Sequence, residues 1–199
     1  MLEYKDNIGV DEAGRGPLLG CVVACCVYIN KIDNEIFEMI NDSKKLSESK
    51  RDFIYDKLKA SDNISYGIGM ASENEIDKIN ILNATFLAMN RALDNLYSKN
   101  KAIQGKLVIV DGNKLIKGYN GAQEYLVKGD SKNLSIALAS IIAKVTRDKI
   151  MYEYDKIYPN YNIANHKGYG TKKHYEAIEK YGILPIHRKT FLKKFLNKD

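Results

Sequence analysis

Apolar residues recur along the chain in two rhythms, and the change from one to the other predicts where strands give way to helices. Ile8 and Val10 mark a first strand over residues 6–11, and the Val- and Cys-rich run 21–29 marks a second. A glycine-rich turn between them predicts an antiparallel pair. Residues 64–70 alternate apolar with polar or small positions and predict a half-exposed third strand, which completes a meander. Short helices are expected around Ile36–Ile40 and from Ser47 through Leu58. From Ser72 the spacing becomes three and four: Ile76 and Ile79 lead into Leu82, Phe86, Met89, Leu93 and Leu96, one face of a long helix.

A continuous β-branched run, Leu107-Val108-Ile109-Val110, closes on Asp111-Gly112 and predicts a buried central strand carrying an acid at its carboxyl end. Residues 124–127 predict a short fifth strand ahead of Lys128-Gly129-Asp130. The stretch 131–151 then reads as a helix with Leu134, Leu138, Ile141, Ile142 and Val145 on one face, and its small residues allow close packing. A meander followed by strands separated by helices implies an α/β fold with a mixed five-stranded sheet, its ligands expected at strand ends. Helices over 172–181 and about 188–196 end the chain.

Composition narrows the class. At 199 residues with 45% hydrophobic and 28% charged positions, the chain fits one globular unit, and a formal charge of +6 suits a polyanionic partner. Cys21, Cys25 and Cys26 share one apolar stretch without the spacing of a zinc site, and read as buried thiols of a reducing compartment. No signal-peptide core precedes residue 11, and the apolar run from Leu18 to Ile29 is too short to span a bilayer, so a cytoplasmic protein is expected. The C-terminal part is basic and tyrosine-rich. Composition alone fits both a nucleic-acid clamp and a solvated helical cap.

The chemistry concentrates at strand ends. Asp11 and Glu12 close the first strand where Gly14, Gly16 and Pro17 force the backbone out of regular structure, a string that taken alone also fits a solvated turn. Asp111 and Asp130 supply further strand-end acids. Such a set repels itself unless divalent cations neutralise it, which predicts a metal-dependent nuclease or phosphoryl-transfer enzyme using Mg²⁺ or Mn²⁺. Adjacent Asp11 and Glu12 face opposite ways in a regular strand, so one of them could act indirectly. Asp148 lies eighteen residues of helix, about 27 Å, beyond Asp130, and reads as a partner of Arg147 or a cap of local structure, since most surface charges are solvated.

Seven strings in order carry a resemblance to the ribonuclease HII family of type 2 RNases H: Val10-Asp11-Glu12-Ala13-Gly14-Arg15-Gly16-Pro17, Asp42-Ser43-Lys44-Lys45-Leu46, Val110-Asp111-Gly112-Asn113, Lys128-Gly129-Asp130-Ser131, Ala143-Lys144-Val145-Thr146-Arg147-Asp148, His166-Lys167-Gly168-Tyr169-Gly170-Thr171 and Pro185-Ile186-His187-Arg188. The resemblance implies an RNase H-like core over residues 1–155 and a helical substrate-binding region over 156–199, packed as one unit. It also implies cleavage of RNA in RNA–DNA hybrids and incision on the 5′ side of single ribonucleotides in duplex DNA, leaving a 3′-hydroxyl and a 5′-phosphate. Asp11, Glu12, Asp111 and Asp130 match the family's metal-site acids, and Gly14, Arg15 and Gly16 match its loop for the ribose 2′-hydroxyl. Tyr169 matches the tyrosine that stacks on the following deoxyribose, and Lys44 and Lys45 match a phosphate-contacting segment. The sister family, ribonuclease HIII, carries its last acid where this chain has Leu115. A monomer is expected.

Overall fold

The structure, a computed structural model, describes residues 2–31, 34–41 and 46–197. Strands β1 (Ile8–Ala13) and β2 (Val22–Ile29) pair antiparallel, with Ile8 opposite Tyr28 and Ala13 opposite Val23. Helices α1 (Asn34–Asn41) and α2 (Glu48–Lys59) follow, and Ser47 caps the second by accepting the Lys50 amide. Strand β3 (Ile64–Ala71) pairs antiparallel with β2 and completes the expected meander.

Helix α3 (Glu73–Lys99) opens on a capping box in which Ser72 and Glu75 satisfy each other's backbone amides. It is interrupted at Asn80 (φ 66°), whose side chain accepts the Asn83 amide and so starts the helix afresh. The apolar spacing reads through this break because the side-chain stripe resumes on the same side. The buried face is richer in alanine than the spacing predicts: Ala88 and Ala92 lie flush on β3, and Ala84 is buried with Met89, Leu93 and Leu96, whereas Leu82 and Phe86 stay partly exposed.

Strand β4 (Val108–Asp111) then enters parallel to β1, and β5 (Gln123–Leu126) parallel to β4, giving the order β3-β2-β1-β4-β5. A loop rather than a helix joins β4 to β5. It is held by the Gln123 side chain, which accepts the Ile116 amide at 2.7 Å and donates to the Tyr119 carbonyl at 3.1 Å. A 3₁₀ turn at Gly129–Ser131 precedes α4 (Leu134–Ile157), so the helix expected from residue 131 starts three residues later, at the Asn133 cap. The boundary expected at residue 155 falls in the last turn of α4. Short α5 (Ile163–His166), α6 (Lys172–Tyr181) and α7 (Lys189–Leu196) complete the chain.

The period-two strand pattern assigns the cores. Val22, Ala24 and Cys26 join Ile8, Val10, Val108 and Val110 under α3, while Cys25, Val27 and Ile29 face α1, α2 and α4. All three cysteines are buried free thiols, as expected. Close approach matters most at Gly9, where a Cβ would overlap the α4 backbone at Ser135 and Ile136, so α4 lies directly on β1. A third cluster joins Leu18 and Leu19 of the loop after β1 to Met151, Tyr161, Ile178 and Leu192, binding the C-terminal helices to α4.

Candidate active site

Parallel pairing places Val10 of β1 beside Val110 of β4, so the next residues, Asp11 and Asp111, leave neighbouring strand ends about 5 Å apart in backbone. Asp130 follows β5, the next strand along. The topology therefore gathers at one sheet edge the acids that the sequence spreads over 120 residues. Asp111 is fixed by the Gly129 amide, which donates to its Oδ1 at 2.6 Å. Asp11 accepts the Glu12 amide at 2.7 Å, and the Ser140 hydroxyl of α4 stands beside its carboxylate. Asp130 lies exposed at the rim.

These carboxylates share one field. Burial, then the charge of Glu12, then that of Asp111 push Asp11, 7% exposed, well above the usual carboxylate range. Burial raises Glu12, against the opposing pull of Arg15, whose guanidinium meets its Oε1 at 3.1 Å. Burial also raises Asp111, where the Gly129 amide opposes it and the charge of Asp130 adds to it. Three raised acids, of which among the described residues only Glu12 is paired with a cation, Arg15, form a hard oxygen donor set, and that chemistry fits divalent cations. Among the described residues no three such groups stand close enough to hold an ion as they are, so the fit rests on donor chemistry and charge.

Beside the acids lies a cavity of about 330 Å³ bounded by Glu12, the Gly14–Gly16 loop, Lys144 and Tyr169. Gly14 has φ +96°, and a Cβ there would overlap the Arg147 side chain, so the turn requires glycine. Tyr169 is 47% exposed and its ring borders Gly16, on which an added Cβ would stand 3.4 Å from the ring. Lys44 and Lys45 lie outside the described residues.

Two arginines whose positioning role the sequence pattern did not reveal hold this loop. Arg188, fully buried, donates to the carbonyls of Gly14, Arg15, Pro17, Gly20 and Cys21 at 2.6–3.2 Å. Burial, with Arg147 nearby, pushes its guanidinium down to about 10. Arg147 donates to the carbonyls of Leu19, Cys21 and Lys167. The visible signal was an arginine within the apolar stripe of α4, but no spacing rule says which carbonyls it serves. Asp148 corrects an expectation: it is neither solvated nor hydrogen-bonded to Arg147, but is buried and paired with Lys144 at 2.7 Å, one helical turn away. Arg147 points instead into the loop.

No helix among the described residues is long and apolar enough to cross a membrane. The family model described as Ribonuclease HII matches residues 8–194. The chain is 56% identical to Ribonuclease HII of Clostridioides difficile over 94% of this chain and 70% of that one. It is 55% identical to Ribonuclease HII of Fusobacterium nucleatum over 98% and 89%. The crystal structure of ribonuclease H2 from Pyrococcus horikoshii superposes with a TM-score of 0.74 at 27% identity, covering 96% of this chain and 99% of that one. Sequence and fold agree that the chain belongs to the ribonuclease HII family and is a nuclease of the RNase H type, acting on RNA–DNA hybrids.

Proposed function

We propose that this enzyme, besides cutting the RNA strand of hybrids, incises duplex DNA on the 5′ side of single embedded ribonucleotides, giving a 3′-hydroxyl and a 5′-phosphate. Asp11, Glu12, Asp111 and Asp130 would hold two Mg²⁺ or Mn²⁺ ions. When bound, such ions supply an activated water and stabilise the departing oxygen of a phosphodiester. The observation that carries the reading is the shared field of Asp11, Glu12 and Asp111 directly beside the cavity of the Gly14–Gly16 loop.

The chain's own residues then divide the remaining work. Because a trans peptide directs its N–H opposite its C=O, fixing the Gly14 and Arg15 carbonyls on Arg188 turns the Arg15 and Gly16 amides away from it. In this reading those amides and the Arg15 side chain meet the ribose 2′-hydroxyl and its phosphate, and the Tyr169 ring stacks on the next deoxyribose. Glu12 is steadied by Arg15, which ties the metal half of the site to the reading half. Lys44 and Lys45 contribute phosphate contacts, the 156–199 region backs the substrate, and the enzyme works as a cytoplasmic monomer.

The test is incision of a DNA duplex bearing one ribonucleotide, mapped to the nucleotide, with Mg²⁺, with Mn²⁺ and with EDTA. Metal-dependent cutting on the 5′ side of the ribonucleotide is expected. Cutting of a long hybrid alone would refute the single-ribonucleotide reading.

A further inference from the structure

The chain has three histidines, and the fold gathers all three beneath Tyr169. His166 and His174 stack with ring centroids 4.2 Å apart, and His174 meets His187 edge to edge, Nε2 to Nε2 at 3.1 Å. All are buried, His174 completely. None is needed by the acid site, which lies on other elements.

Their protons can be placed from partners that have only one role. The Leu184 amide can only donate, and it donates to His187 Nδ1 at 2.8 Å, so the His187 proton is on Nε2. That proton must point at His174 Nε2, which therefore accepts, leaving the His174 proton on Nδ1. Nδ1 in turn lies 2.9 Å from the Tyr169 carbonyl, which can only accept. His166 is settled likewise: Nδ1 accepts the Gly168 amide and Nε2 donates to the Tyr161 carbonyl. One directed chain thus runs from the Leu184 amide through two neutral rings in opposite tautomers to the backbone of Tyr169. The Tyr169 amide is also held, donating to the His166 carbonyl at 2.9 Å.

We propose that His174, oriented by His187, is a positioning residue that sets the Tyr169 ring against the Gly14–Gly16 loop, and that the two imidazoles act as a proton-ordered relay that holds only while both are neutral. The inference rests on reading Tyr169 as the residue that recognises the RNA-to-DNA step. An added proton has no acceptor: it would set two N–H groups face to face across the 3.1 Å contact, or place one against the Leu184 amide. The titratable neighbours offer no relief. Asp155, at the end of α4, accepts the Ala164 amide; Tyr161 donates to the Gly182 carbonyl; Arg188 is taken up by five carbonyls. Burial accordingly pushes both His174 and His187 down to about 4.

The experiment pairs imidazole ¹⁵N spectra of the whole protein at neutral pH with steady-state kinetics on a single-ribonucleotide duplex and a long RNA–DNA hybrid. The spectra should show two neutral rings, His174 protonated on Nδ1 and His187 on Nε2. A charged ring, or the same tautomer at both, overturns the relay. His174→Leu should raise KM for the single-ribonucleotide duplex about tenfold and several-fold less for the hybrid, with kcat nearly kept. His174→Asn, whose amide can donate from the Nδ1 position, should recover most of the loss. Equal losses on both substrates, or no rescue by Asn, overturn the positioning role. Should His174→Leu fail to fold, His187→Asn, which still accepts the Leu184 amide but cannot reach His174, carries the same comparison. Tyr169→Ala run alongside separates the two readings. Unchanged substrate preference there refutes the role of Tyr169 itself, whereas preference lost there but intact in His174→Leu refutes the relay alone.

Discussion

Replacing Arg188 by Lys looks conservative and should not be. The guanidinium serves five carbonyls of the loop from Gly14 to Cys21, in a geometry that only a planar fork can reach. Water reaches Gly14 and Arg15 and Cys21 keeps Arg147 at 3.2 Å, so Pro17 and Gly20 depend on the fork alone, and a lysine nitrogen, a single point, serves one of them. At about 1–3 kcal/mol for an orphaned buried acceptor, the loss centres on about 2 kcal/mol against a stability of order 5–15 kcal/mol. The buried charge remains and nothing offsets this. Arg188→Met serves neither Pro17 nor Gly20, so two buried carbonyls go without. Methionine also removes a cation that burial disfavours by about 3 kcal/mol, judged from a guanidinium pushed down to about 10. The chemically closer Lys should therefore be no better than Met, and worse if the relief is complete. With no tryptophan in the chain, urea unfolding followed by far-ultraviolet circular dichroism measures both midpoints at constant slope. A Lys variant within about 1 kcal/mol of the parent would refute the argument that the fork holds the loop.

Other outcomes follow from the same structure. Asp111→Asn should abolish turnover while leaving the fold intact or firmer, since it relieves the charge pressing on Asp11 and Glu12. Mn²⁺ at a hundredfold over its dissociation constant should add about 2.7 kcal/mol to the parent enzyme, roughly 5–10 °C in Tm, and much less to that variant, measurable by calorimetry. Gly9→Ala should cost about 3 kcal/mol, because its Cβ meets the α4 backbone, which cannot turn aside as a side chain could. Below pH 6.5 the unfolded chain takes up protons that folded His174 and His187 refuse until about pH 4, so these residues lower stability progressively across that window, by up to about 3 kcal/mol each. Asp11, Glu12 and Asp111, raised in the folded state, bind protons first on folding and offset part of this loss as pH falls through their folded values. In urea titrations against pH, His187→Asn should flatten the decline.

What the sequence made legible was local. Strand periodicity, the Ser47 and Ser72 caps and the acid-bearing strand ends depend on neighbours in the chain, and they stand within one or two residues of where the spacing places them. The register of Val10 on Val110 was not legible, because parallel pairing joins segments 100 residues apart with no turn to fix it. Asn80 was missed because a capping side chain can restart a helix without disturbing the apolar stripe. The alanines of α3 were undervalued because spacing rules weigh side-chain size, whereas a helix lying against Gly67 and Gly69 needs small residues. Asp148 was misjudged for a similar reason: a charge on a helix looks solvated until the neighbouring elements cover it.

The bond from Arg188 to the Gly14 carbonyl spans 174 positions. During synthesis the first strand, its two acids and the following glycine turn emerge well ahead of the guanidinium that clamps the turn, which lies 174 residues later. Closing so long a ring has an entropic cost that only the assembled sheet and α4 can offset, so the clamp must engage after the rest has docked. A growing chain therefore holds all four strand-end carboxylates before the turn beside them has its final shape, and the two halves of the site mature in that order.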